Sequence, residues 1–241
     1  FNLPGNEHFA VGVITTMMMT AANFALTPQW GPAASGGFSV EAMTGLTINF
    51  SQASNATIRI ALTDTDPYGY GTAWGYFPGN ANWSGDVWFY RFNPSDPTTP
   101  VAGNWAWATM IHELGHALGL KHTQGPFDNG ANGVTFPQMP AFFDRMEYSI
   151  MSYKSYVGAD LNAGGYRNET WGYAQTWMML DILALQHMYG ADFTPNTSEV
   201  VYSWRPETGT TFVNGEAAIE PGLNRIFATI WDGGGNVTYD L

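Results

Sequence analysis

Apolar positions in the first part of the chain follow no single period. "VGVITTMMMTAANFAL" reads either as a helix with Val13, Met17, Ala21 and Phe24 along one side, or as a strand feeding a short helix. The Pro, Gly and Ser content of "TPQWGPAASGG" marks a loop. "GLTINF" and "ATIRIALT" alternate as strands on either side of the turn-like "SQASN", which predicts a hairpin or adjacent strands. After the turn-rich "DTDPYGYG", "TAWGYFPG" is a short extended piece closed by Pro78 and Gly79, and "GDVWFYRF" is another strand.

The period changes at Asn104. Trp107, Ile111, Leu114 and Leu118 recur three or four apart, which is one face of a helix, and Gly119 supplies its stop. A Gly-, Asn- and Pro-rich section follows His122 and outruns the roughly 12 to 15 residues usual for a structureless loop, so it asks for a functional reason. "TWGYAQTWMMLDILALQHMYGA" predicts a second helix, with Trp177, Leu180, Ala184 and Met188 on one face and Gly190 as its stop. "VVYSW", "TTFVNG" and "NRIFATIWDGGGN" read as short strands and turns. Strands before the first long helix and again after the second make an α+β fold, with no solenoid repeat.

Composition narrows the chemistry. The 241 residues are enough for a substantial core, as one large domain or two small ones. No apolar run approaches the roughly 18 residues of a membrane span. Eight Lys and Arg against 20 Asp and Glu leave a net charge of -12, with no basic cluster for nucleic acid or an anionic membrane surface. The chain begins at Phe1 without Met or a basic leader, which reads as a mature or trimmed fragment. With no Cys, a metal must be held by His, Asp, Glu, Tyr or backbone oxygen.

Three of the five histidines stand in "HELGHALGLKH". Residues four apart on a helix stack one turn above the other, so His112 and His116 can present two imidazoles to one ion. Glu113 points about 100° around the axis, toward a water on that ion rather than the ion itself. The short motif alone also suits a salt-bridged surface helix. The continuation weighs against that, because an unbroken helix would carry His122 about 240° away from His116. Gly119 can take the left-handed conformation that ends the helix and lets the chain return His122 to the ion. Three neutral histidines and one open position match catalytic rather than structural zinc.

"HELGHALGLKH", followed by "SIMSY", resembles the metzincin zinc endopeptidases and, more narrowly, the serralysin-type secreted bacterial proteases. "LDILALQHMYGA" is similar to the subgroup's helix after the methionine turn, and "IWDGGGNVTYD" to the junction with a glycine-rich calcium-binding repeat module. The resemblance implies a twisted mixed sheet over an active-site helix, and His112, His116 and His122 as zinc ligands. It makes Glu113 the base, Met151 the methionine beneath the zinc site, and Tyr153 a zinc ligand in the free enzyme that leaves to stabilise the reaction intermediate. In "GTAWGYFPG", it places Ala73, Trp74 and Gly75 on the edge strand that pairs with an extended substrate. Thr123 stands where the subgroup commonly has Pro, and Val237 where it commonly has Asp.

The expectation is therefore one catalytic domain over 1–241, with subdomains of about 1–122 and 123–241 flanking a cleft and residues 228–241 resembling the repeat junction. Zinc is the implied cofactor; calcium, with Asp232 and Asp240 as candidate ligands, belongs to a longer parent chain. The implied partners are protein or peptide substrates and a protein inhibitor, and the implied setting is a secreted, extracellular bacterial monomer. Two rivals keep their place: a catalytically silent zinc-stabilised binding domain, and a carbohydrate-binding module suggested by 10 Trp and 12 Tyr.

Overall fold

The computed structural model describes residues 12–128, 135–156 and 166–241, apart from Gly31, Gln52, Ser54, Pro67, Tyr70, Arg167 and Asn196. The ambiguous first segment is a helix, α1 (Thr16–Leu26), started by Thr15, whose hydroxyl accepts the Met18 N–H. Its buried face is only partly the expected one, since Ala21 is buried and Phe24 packs on Trp107 but Met17 and Val13 do not face the core. Met18, Ala21, Ala22 and Ala25 point inward, while Met17 is exposed and Val13 lies outside the helix, 84% exposed. A short helix α2 (Val40–Met43) follows two 3₁₀ turns.

The predicted strand "GLTINF" does not form. Its ladder groups are occupied by side chains: Ile48 donates its N–H to Glu41 and accepts from Gln29, and the Leu46 N–H goes to Thr44. The first sheet instead holds β1 (Arg59–Thr63), β2 (Ala73–Gly75) and β3 (Asp86–Tyr90) in the order β1-β3-β2. β1 runs parallel to β3, and β2 antiparallel to it with Trp74 opposite Trp88. The two indoles stack at 6.4 Å on one face of the sheet, with Ala61 beside them. The other face carries Leu62, Val87 and Phe89 into the main core.

Helix α3 (Trp105–Ala117) packs beneath β2 and β3 and against α1. Asn104 caps it by accepting the Trp107 N–H at 2.8 Å. The helix is buried all round from Ala106 to Ala117, rather than along one stripe. The section after it contains the small pair β4 (Phe127–Asp128) and β5 (Thr135–Phe136); the intervening 129–134 and the later 157–165 lie outside the described residues.

Helix α4 (Met179–Tyr189) begins after Trp177, not at it, and stops at Gly190 with φ +81°. Its buried residues are Asp181, Ile182 and Leu185, whereas the expected Met188 is 43% exposed. The face turns because a carboxylate is buried: Asp181 accepts from Ser149 Oγ and from the backbone N–H groups of Ile150 and Met178. The last sheet is β8-β7-β6-β9, from β6 (Val200–Trp204), β7 (Thr211–Val213), β8 (Glu216–Ile219) and β9 (Val237–Asp240). β9, from the junction-like segment, runs parallel to β6. Among the described residues no helix is long and apolar enough to cross a membrane.

Candidate metal centre

The turn that ends α3 builds the site. Gly119 has φ +99°, the Leu120 N–H bonds the Gly115 carbonyl at 2.8 Å, and the Gly119 N–H bonds the His116 carbonyl at 2.9 Å. These are the paired bonds of a Schellman stop, for which glycine is the suited residue. The reversed chain brings Leu120 back under His116, whose Nδ1 lies 2.7 Å from the Leu120 carbonyl. His112 Nδ1 lies 2.8 Å from the Ile150 carbonyl. Each carbonyl holds a proton on Nδ1, so each Nε2 is left as a lone-pair donor.

The three Nε2 atoms converge. His122 Nε2 is 2.9 Å from that of His116 and 3.1 Å from that of His112. Among the described residues this is the only group of three or more His, Asp or Glu side chains close enough to hold one metal ion. Tetrahedral zinc with ~2.0–2.1 Å bonds separates neighbouring nitrogens by about 3.3 Å, so a few tenths of an ångström of expansion admit the ion. Burial, then the neighbouring imidazoles, lowers the pKa of His112. Burial, followed by the neighbouring charge of His122 or Lys121 respectively, brings His116 and His122 down to about 4. All three are therefore neutral near pH 7, the state that ligates.

Glu113 is buried beside the cluster, and burial pushes its carboxyl up to about 8 against the hydrogen bond from the Gly75 backbone. A cation at the histidines would favour its charged form. The Tyr153 hydroxyl stands 2.9 Å from His122 Nε2, and its ring stacks near His112. Met151 is buried below α3, against Gly115.

The expected edge strand does border the cleft, but its three residues divide the work. Thr72 and Tyr76 bond β3, through the Tyr90 N–H and the Asp86 carbonyl. By antiparallel alternation Trp74 also faces β3, while the main-chain groups of Ala73 and Gly75 face the cleft. A Cβ on Gly75 would lie 2.4 Å from the Glu113 carbonyl oxygen, so glycine lets this strand rest directly on α3.

The cleft encloses about 810 Å³ and is walled by β2 and α3 on one side and by residues 121–127, Tyr153 and Tyr166 on the other. One of its residues, Phe77, carried no signal in the sequence. Phe77 sets its ring edge-on to His116 at 5.4 Å and packs on Phe127. Thr123, the residue that replaces the common Pro, donates to the buried Asp144. That carboxyl is held below the usual aspartate range, because Lys154, Thr123 and Ser152 together outweigh burial. At the junction-like end, Asp232 accepts from the Gly234 N–H and from Tyr202, and Asp240 lies in β9.

The sequence profile of metallopeptidase family M12, in its Reprolysin_5 group, matches residues 13–163. The chain belongs to that family. Within the family its similarity is to serralysins, as the resemblance of its motifs implied. Serralysin G of Dickeya chrysanthemi is 31% identical over 80% of this chain and 39% of its own length. The serralysin of Proteus mirabilis is 30% identical over 78% of this chain and 34% of its own. Serralysin B of Dickeya chrysanthemi aligns over 100% of this chain at 28% identity and 47% of its own length. The chain thus spans less than half the length of these curated relatives. Membership of a metallopeptidase family, together with the three-histidine donor set, makes zinc the metal that this centre fits.

Proposed function

We propose that this protein is a zinc-dependent endopeptidase that hydrolyses internal peptide bonds of protein substrates, with His112, His116 and His122 as the metal ligands. The observation that carries this reading is the place of Glu113: buried, next to His112 on α3, lining the same cleft as the three histidines, and hydrogen-bonded by the Gly75 backbone of β2. A silent zinc-stabilised domain would have no use for a carboxylate kept there at the expense of burial.

When bound, zinc supplies Lewis acidity, polarising the scissile carbonyl and acidifying the attacking water. Glu113 accepts the proton of that water and passes it to the leaving amine. The main-chain groups of Ala73 and the carbonyl of Gly75, whose N–H is engaged with Glu113, pair with an extended substrate, a mode that reads backbone more than side chains and gives broad specificity. Tyr153 donates a hydrogen bond from its hydroxyl to the oxyanion that develops on the carbonyl. Met151 and Gly119 have no chemistry; they hold α3 and its stop in place.

The cleft supports a single catalytic domain, with 1–122 supplying β2 and α3 and 123–241 supplying the Met151–Tyr153 turn. The acidic, cysteine-free composition suits work outside the cell. Zinc content, measured with cleavage of a diverse peptide library before and after chelation, tests the proposal. One zinc per chain and chelator-sensitive internal cleavage are expected; metal-free cleavage, or zinc without cleavage, contradicts it.

A further inference from the structure

Asp144 is fully buried, and its carboxylate is shared among three residues that each adjoin the metal centre. Thr123, directly after His122, donates to Oδ1. Ser152, directly before Tyr153, donates to the same oxygen at 2.7 Å. Lys154, directly after Tyr153, brings its ammonium within 2.8 Å of Oδ2. The turn that carries Asp144 is itself tied to both segments, through the Met139 N–H to the Thr123 carbonyl and the Met146 N–H to the Lys154 carbonyl.

His122 lies past the end of α3 and Tyr153 lies in a turn, so neither is held by the regular bonds of a helix or strand. The two are 31 positions apart in sequence, yet their side chains meet at 2.9 Å. We infer that Asp144 is a positioning residue that sets the separation of His122 and Tyr153, by joining the side chain next to one in sequence to the side chains on both sides of the other. The inference rests on the proposed roles of His122 as ligand and Tyr153 as donor. Thr123 and Ser152 are 3% and 0% exposed, so water cannot take over their bonds to the carboxylate when one is removed.

Thr123→Val keeps the side-chain shape and removes the donor, while Thr123→Ser keeps the donor. Both are compared with wild type in the zinc-loaded protein for kcat and KM on a peptide, for the rate of zinc release into excess chelator, and for melting temperature. Thr123→Val is expected to lower kcat and to speed zinc release by about 10-fold each, the lower end of outer-shell effects, with KM within about twofold and the serine variant near wild type. Combined with Tyr153→Phe, Thr123→Val should add no further loss of kcat while still speeding zinc release. Equal kcat losses with and without the tyrosine, or unchanged zinc release, overturn the inference. Ser152→Ala repeats the comparison from the other end if Thr123→Val does not fold. A wild-type protein that holds no zinc would instead defeat the underlying reading of the site.

Discussion

Gly115 and Met151 touch so closely that a Cβ on the glycine would lie 2.6 Å from the methionine sulfur. The contact sets how near α3 can approach the turn that precedes Tyr153, at a point between His112 and His116. Gly115→Ala should therefore cost about 1–3 kcal/mol of stability, the usual scale of overpacking. Met151→Ala opens a cavity and costs about 2–5 kcal/mol, but it also makes room for the alanine. Denaturant unfolding of the double variant should show it no less stable than Met151→Ala alone. Additive losses would mean that the two residues do not act through this contact.

Burial raises the Asp181 carboxyl from 3.8 to about 6 against three hydrogen bonds. Between those values the folded chain binds more protons at this site than the unfolded chain. The sign follows: the site's contribution to stability is greatest below about pH 4, falls as pH rises to 6, and is constant above that. Asparagine can accept both N–H bonds on one oxygen and donate to Ser149, so Asp181→Asn keeps the geometry without the titration. The stability difference between wild type and Asp181→Asn should shift by on the order of 3 kcal/mol from pH 4 to pH 7, in favour of the variant at the higher pH. A difference that does not change with pH contradicts the burial argument.

Gly75→Ala tests the substrate strand. The added methyl would run into the Glu113 backbone, lifting β2 off α3 and disturbing the hydrogen bond from Gly75 to the base. Misplacement of about 1 Å can cost 10²-fold in rate, so kcat/KM on peptides should fall by about that much. Zinc content should be unchanged. A variant with full activity would remove β2 from the account of binding.

Tyr153→Phe keeps the ring on His112 and His122 and loses the hydroxyl. The three histidines should still hold zinc, and kcat should fall by about 10²–10³, the cost of one oxyanion donor. Loss of zinc with the hydroxyl would instead make the tyrosine an essential ligand.

These residues were unequally legible in the sequence. His112, Glu113, His116 and the stop at Gly119 could be read because helix geometry gives each spacing a consequence, and only a helix that stops returns His122 to the other two histidines. The edge strand could be placed, yet the division between Trp74 and its neighbours needed the register with β3. The buried face of α4 differs from its apolar stripe because hydrophobic periodicity cannot anticipate a buried Asp181, and that of α1 agrees only at Ala21 and Phe24, because Met18, Ala22 and Ala25 complete it where Val13 and Met17 stay exposed. "GLTINF" has a strand's pattern, but side chains from Glu41, Gln29 and Thr44 took the bonds that a neighbouring strand would need. Asp144 was invisible for a similar reason: a buried carboxylate is explained by its partners, and those come from segments far apart in sequence.

The central claim is that Glu113 moves the proton at a zinc site built by three histidines. Glu113→Ala, purified free of other proteases, is compared with wild type for zinc per chain and for turnover of a casein-like substrate. The account predicts equal zinc and no cleavage by the variant. Near-normal turnover with zinc in place would contradict it.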